Sequence, residues 1–193
     1  ESDRGRTKKK AVSGRAAFCI ASGPSLTRAD CDRVKAWKEA EEGRLVVTTN
    51  NTFMLCPWAD VLYAMDKKWW ERMHKEVSGF TGIKVSHGNH GWPWMKQSNT
   101  AVGKNSGIGA ILYAISQGAN KVYLLGYDCK AAKNGDRHWH GKHFYGLGNA
   151  NALPKFKAQM EKSLPLFGGA VVVNCTRDTE LTCFERVPLE LIC

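Results

Sequence analysis

No apolar run in this chain of 193 residues approaches the ~20 needed to cross a bilayer, so no helical membrane span is expected. Residues 1–10 are polar and basic with no apolar stretch behind them, so no signal peptide is read there. No internal repeat, low-complexity segment or Cys-x-x-Cys pair occurs. The cysteines, Cys19, Cys31, Cys56, Cys129, Cys175, Cys183 and Cys193, are odd in number, and Cys19 and Cys175 sit inside apolar runs. Reduced, packed thiols in a cytoplasmic protein are expected rather than a disulfide framework. Acidic residues are in deficit, with 18 Asp and Glu against 28 Lys and Arg, a net charge of +10. That balance favours acidic partners such as nucleotides, nucleic acid or anionic lipid.

Part of the charge is local. Residues 1–15 hold Arg4, Arg6, Lys8, Lys9, Lys10 and Arg15 against Glu1 and Asp3. The stretch reads as a basic flexible tail, with a nucleic-acid-binding arm as the alternative. The whole chain is ordinary in composition, 43% hydrophobic and 24% charged. It has the length for one domain with a sizeable core, residues 16–193.

Strand-like runs alternate with helical patterns. Residues 15–22 (RAAFCIAS) are apolar and end at Gly-Pro, and 44–50 (RLVVTTN) are rich in β-branched residues. Runs at 60–66, 82–87, 121–128 and 170–176 follow, several without polar alternation, as in strands covered on both faces. Leu26, Val34 and Trp37 mark a helix to about residue 41, before Gly43. Trp69, Trp70, Met73 and Val77 mark a second behind Asp66, a suitable N-cap. Ile108, Ile111, Leu112 and Ile115 have helical spacing closed by Gly118, and Phe156, Met160 and Leu164 mark a helix before Pro165. Residues 88–103 and 130–151 read as loops. The alternation predicts a single α/β, Rossmann-like domain with a mostly parallel sheet flanked by helices, and ligand sites at the carboxyl ends of its strands.

Polar and glycine residues gather at those strand ends. After the first strand, Ser22, Gly23, Pro24 and Ser25 make a turn into a helix. There Gly allows close backbone approach, Pro24 fits a first helical turn, and the hydroxyls donate to a phosphate or ribose. An ordinary βα turn would use the same residues. Asn50 and Asn51 end the second strand, where an amide either reads a ligand edge or satisfies a loop. Asp66 ends the third, as a helix cap or an acid. Asn105, Ser106 and Gly107 open a helix whose backbone N–H groups favour an anion, or simply cap it. Gly126, Tyr127 and Asp128 end the next strand.

The densest constellation is Arg137, His138, Trp139, His140, Gly141, Lys142 and His143. One reading is a base plus phosphate-binding donors. A second is a metal held by His138, His140 and His143 with Asp128, although the spacing matches no common zinc pattern. A third is a solvated loop. Trp69 and Trp70 read as packing, whereas Trp92 and Trp94, on a Gly-Pro loop, are candidates for stacking a ligand ring.

Taken in order, these pieces resemble the bacterial family 42 sialyltransferases and a related family of unknown function that includes archaeal pterin pyrophosphokinase-like proteins. The resemblance rests on Ala21-Ser22-Gly23-Pro24-Ser25-Leu26, the strand-end Asn50, Asn105-Ser106-Gly107, Gly126-Tyr127-Asp128, His138 to His143, and a closing strand and polar turn at 171–182. It spans about residues 16–185. The wording 57–63 (PWADVLY) and the pair Trp69-Trp70 also resemble small tailed-phage proteins. Cys129 and Trp139 stand where the sialyltransferases carry an aromatic pair and a Tyr.

The resemblance implies a glycosyltransferase A-like variant of the fold that binds a cytidine-nucleotide sugar and needs no metal or other cofactor. It assigns nucleotide binding to Asn50, Ser106, Gly107 and Gly126, the acceptor base to His143, and leaving-phosphate stabilisation to Tyr145. His138 joins the catalytic candidates. Asn51, Asp66, Asn105, Tyr127, Asp128, Arg137, Trp139 and Lys142 join Ser22 to Ser25 as substrate-binding candidates. The expected function is a nucleotide-sugar-dependent transferase acting on a hydroxyl acceptor, in the host cytoplasm if phage-encoded. The alternative is a non-catalytic nucleotide- or DNA-binding protein on the same scaffold. A pyrophosphokinase would need an acidic metal cluster, and Asp60, Asp66, Asp128 and Asp136 are scattered.

Overall fold

The computed structural model describes residues 14–98, 105–142 and 153–193. His143, Tyr145 and residues 1–13 of the basic stretch lie outside the described residues. Arg15, grouped with that stretch by charge, opens the first strand.

Eight strands are described: β1 (Arg15–Ile20), β2 (Leu45–Thr49), β3 (Val61–Tyr63), β4 (Ile83–Ser86), β5 (Lys96–Gln97), β6 (Ala119–Leu125), β7 (Val171–Asn174) and β8 (Glu185–Arg186). They form one sheet in the order β5-β4-β3-β2-β1-β6-β7-β8, and every pairing is parallel. The helices are α1 (Arg28–Glu39), α2 (Lys67–Met73), α3 (Ser106–Ser116) and α4 (Leu153–Ser163). The chain is thus an α/β, Rossmann-like domain, as the alternation predicts.

The order reverses at β1. Strands β2 to β5 extend to one side, then the chain returns to lay β6 along the other, with Ile20 opposite both Thr48 and Leu125. Such a reversal leaves a crevice outside the carboxyl ends of the two central strands.

The pleat sorts β1 into two cores. Phe18 and Ile20 join Val34 and Trp37 of α1 and the indoles of α2, while Ala17 and Cys19 join the apolar face of α3. All four are fully buried, each large one contributing about 1.5–3 kcal/mol. Phe18 meets Trp37 edge-on at 4.8 Å. On α3, a Cβ at Gly109 would come within 2.4 Å of the Tyr63 ring, so glycine is what lets this helix lie close against β3. α1 starts on a capping box, with Thr27 Oγ1 accepting from Asp30 N–H at 3.1 Å and Asp30 accepting from Thr27 N–H.

Two sequence expectations need correcting. Pro24 is not in a first helical turn, because α1 begins at Arg28 behind the Thr27 cap. Residues 88–103 are not wholly loop, since β5 pairs with β4 through Lys96 and Gln97. The polar segment after β7 likewise supplies an edge strand, β8. Both added strands are two residues long and exposed, so no apolar pattern marks them. Among the described residues, no helix is long and apolar enough to cross a membrane.

Candidate functional site

A cavity of about 490 Å³ opens at the β1–β6 reversal. Its floor is the pair of turns that leave the two strands. The β1 turn is held to the β6 turn by backbone bonds, Ala21 N–H to Leu125 O and Gly23 N–H to Gly126 O, both 2.8 Å. Gly126 has φ +73°, and a Cβ there would lie 2.4 Å from Ala21 O. A Cβ on Gly23 would lie 2.1 Å from Asp128 Oδ1. The two glycines are therefore what lets the turns touch.

Asp128 locks them. It is 2% exposed, accepting from Ser25 N–H at 2.8 Å and from Ser25 Oγ–H at 2.9 Å. Burial raises its carboxyl to about 6, with the two Ser25 donors pulling the other way. Asp178 raises it further and Lys130 lowers it. Tyr127, also buried, donates its hydroxyl to Gly107 O at 2.9 Å, tying β6 to the start of α3. Burial, followed by Cys19 and Cys129, lifts its phenol well above the ordinary range. Cys129 has φ +54° and is pushed up to about 12 by burial, so it stays a thiol at neutral pH.

One wall is the N-terminus of α3. Asn105 Oδ1 accepts from Ile108 N–H at 3.1 Å, and its carbonyl accepts from Gly109 N–H at 3.0 Å. Ser106 and Gly107, which precede the first intrahelical bond, line the cavity at the positive end of the helix dipole. Ser106 Oγ accepts from Met65 N–H at 3.1 Å, joining this wall to the end of β3. Asp66 reaches the rim and caps α2 by accepting from Lys68 N–H at 2.8 Å. Leu153, Phe156 and Met160 of α4 form an apolar side.

The opposite wall is the histidine-rich segment. Arg137 and His138 line the cavity with Lys130, whose ammonium pairs with Asp178 at 2.5 Å. That partner raises the Lys130 ammonium above its ordinary range. Trp139 holds the segment down: its backbone N–H donates to Ser22 O at 3.1 Å, and its Nε1–H to Thr52 Oγ1 at 3.2 Å. Thr52 Oγ1 in turn shares a 2.9 Å hydrogen bond with Ser22 Oγ. The rings of His138 and His140 stack with centroids 5.0 Å apart.

Most of the residues expected from sequence thus meet in one cavity: Ser22, Gly23 and Pro24 from the β1 turn, Asn50 after β2 with φ +47°, and the β3, α3 and β6 residues above. Ser25 stands behind, as donor to Asp128. Asn51 turns into the core, where its Oδ1 accepts from Trp69 Nε1–H at 2.7 Å. Trp139 anchors rather than lines, and Lys142 is exposed. Sequence reasoning missed Thr49, Met65, Lys130 and the α4 wall. The Phe156–Met160 spacing was visible but reads equally as core. Among the described residues, no group of three or more His, Cys, Asp or Glu side chains could hold a metal ion.

No family model, curated protein or solved structure matches the chain.

Proposed function

We propose that the switch-point cavity binds a nucleotide, and that the protein transfers the sugar of a nucleotide-sugar donor to a hydroxyl acceptor. The observation that carries this reading is the convergence in one cavity of the β1 turn, the α3 N-terminus and the Arg137–His138 segment, which are distant in sequence. A volume of about 490 Å³ suits a ligand of this size. The helix N-terminus and Arg137 suit a phosphate, and the apolar α4 side suits a base or ribose face.

In the transfer, the anomeric carbon forms a bond to the acceptor oxygen and breaks its bond to the leaving phosphate. The acceptor proton passes to a histidine, His138 in the cavity or His143 by the family resemblance. Charge gathers on the leaving phosphate, where preorganised donors count most.

The test is a thermal-shift screen against cytidine, uridine, guanosine, adenosine and thymidine nucleotides, with and without divalent metal. Selective stabilisation by one nucleotide is expected, about 2.7 kcal/mol at a hundredfold excess over Kd. Ser106→Trp, which fills the mouth at the α3 N-terminus, should abolish that response, and it should lower the unliganded melting point by the loss of the acceptor for Met65 N–H. No response to any nucleotide overturns the binding reading. A response without sugar transfer to any acceptor leaves the binding protein and overturns the enzyme.

A further inference from the structure

A second cavity, of about 570 Å³, lies far from the switch point on the β4 side, beside α2. Its lining includes Trp92, Trp94, Val77, Lys84, Glu71 and His74. Trp92 and Trp94 are stacked, with ring centroids 5.5 Å apart and planes 14° apart. They differ from the other tryptophans of this region. Trp69 and Trp70 are buried at 2% and 0% exposure, whereas Trp94 is 43% exposed. An indole so placed leaves apolar area in water that burial would have stabilised.

Trp94 is nonetheless held. It stands 5.9 Å from Trp70, which is fixed in the core by donating Nε1–H to Ala64 O at 2.9 Å. Lys84 Nζ lies 6.0 Å from the Trp94 ring and donates to Phe80 O at 2.7 Å. The platform is therefore preorganised, with Trp94 43% exposed and a cation over its ring.

The charge around it is mostly positive. Residues 67–96 carry six Lys and Arg against two Glu. Of the two acids, Glu71 is already paired with Lys67 at 3.8 Å along the same helical stripe. Lys68, Arg72 and Lys75 are exposed, whereas the Lys96 ammonium stands 5.9 Å from the Tyr113 ring on the α3 side of the sheet. A polyanion that also offers flat apolar rings meets both features at once. Unpaired nucleotides do so, each with one phosphate and one π-face.

We propose that the Trp92–Trp94 platform binds a base of single-stranded nucleic acid, with Lys84 and the basic flank of α2 taking the neighbouring phosphates. The site is separate from the switch-point cavity and does not depend on what that cavity binds.

The test is fluorescence anisotropy of a labelled thymidine oligomer of about twelve nucleotides, titrated with the full chain at several salt concentrations. Trp94→Ala should weaken binding about tenfold or more, the loss expected of one stacked base, and Trp94→Phe should weaken it less because it keeps a ring. Lys84→Gln should lower the slope of log affinity against log salt by about one. Melting points of the variants separate lost contact from lost fold, and the Phe and Gln variants still decide the matter if Trp94→Ala unfolds. Binding by Trp94→Ala equal to the parent overturns the proposal, as does equal loss in the Ala and Phe variants. Failure to bind the oligomer alongside Trp94-dependent binding of a soluble dextrin also overturns it, in favour of a sugar platform.

Discussion

Replacing Asp128 by Asn should make the protein more stable at neutral pH, and the reason is the cost of the buried charge. The carboxyl ionises at about 6 in the fold against 3.8 as its ordinary value. The folded state therefore holds this proton more tightly than the unfolded chain. The sign follows from linkage: stability falls as pH rises from the unfolded value to the folded one, and the penalty is complete above both. A difference of about two pH units corresponds to about 3 kcal/mol at neutral pH. An amide avoids the charge and keeps the geometry, with Oδ1 accepting from Ser25 N–H and Nδ2–H donating to Ser25 Oγ. After some loss of bond strength, Asp128→Asn should gain about 1–3 kcal/mol near pH 7.5, and the gain should fall to about half near pH 5. Urea denaturation of both proteins at the two pH values measures this. A variant less stable than its parent at neutral pH, with unchanged pH dependence, would refute the reasoning. It would mean that the Ser25 donors favour the anion more than burial disfavours it. The charge also faces the proposed ligand. An ionised Asp128 repels a phosphate, so nucleotide affinity in the parent should rise as pH drops through about 6, and the Asn variant should lack that rise.

Two other substitutions separate scaffold from site. Gly23→Ala places a methyl 2.1 Å from Asp128 Oδ1 and 2.4 Å from Gly126 O, so the turns must part. It should lose about 1–3 kcal/mol in denaturant melts together with the nucleotide response, and a loss within experimental error would show that the turns yield freely. Asn51→Ala strands the Nε1–H of Trp69, a residue 2% exposed, and should cost about 1–3 kcal/mol. Its nucleotide affinity should match the parent's, and a drop in affinity at unchanged stability would instead give Asn51 a ligand contact.

The strand interiors were readable because burial on both faces demands unbroken apolar runs. RAAFCI, LVVTT and VVVN announce themselves without knowledge of their neighbours. The helix starts were readable for a local reason too, since Asp66 and Asn105 cap α2 and α3 through bonds to residues two or three ahead. Edge strands gave no such signal. Lys96–Gln97 and Glu185–Arg186 become strands only because β4 and β7 present unpaired edges to them. Asn51 was misleading for a related reason. Its residue type suits a ligand-reading amide, and only the fold reveals that a buried indole needs its oxygen.

The site itself was half legible, and the division has a physical basis. Where strands end at a sheet reversal, the crevice follows from topology, so the Ser22–Ser25 and Gly126–Asp128 turns could be assigned to one place before their contact was known. The histidine segment carries no such guarantee, because a loop after β6 can leave in any direction. What brings it back is Trp139, read from sequence as a ligand contact but bonded instead to Ser22 and Thr52. Ser22 is therefore shared. Its carbonyl holds the segment that carries Arg137 and His138 and its hydroxyl reaches the same Trp139 only through Thr52, while its own position is set by the Ala21 and Gly23 bonds to β6. A displacement of the β1 turn must then move the cations and the candidate base along with the floor. The floor and the histidine-bearing wall of the cavity are thus joined through Ser22, so a ligand that displaces one strains the bonds to the other.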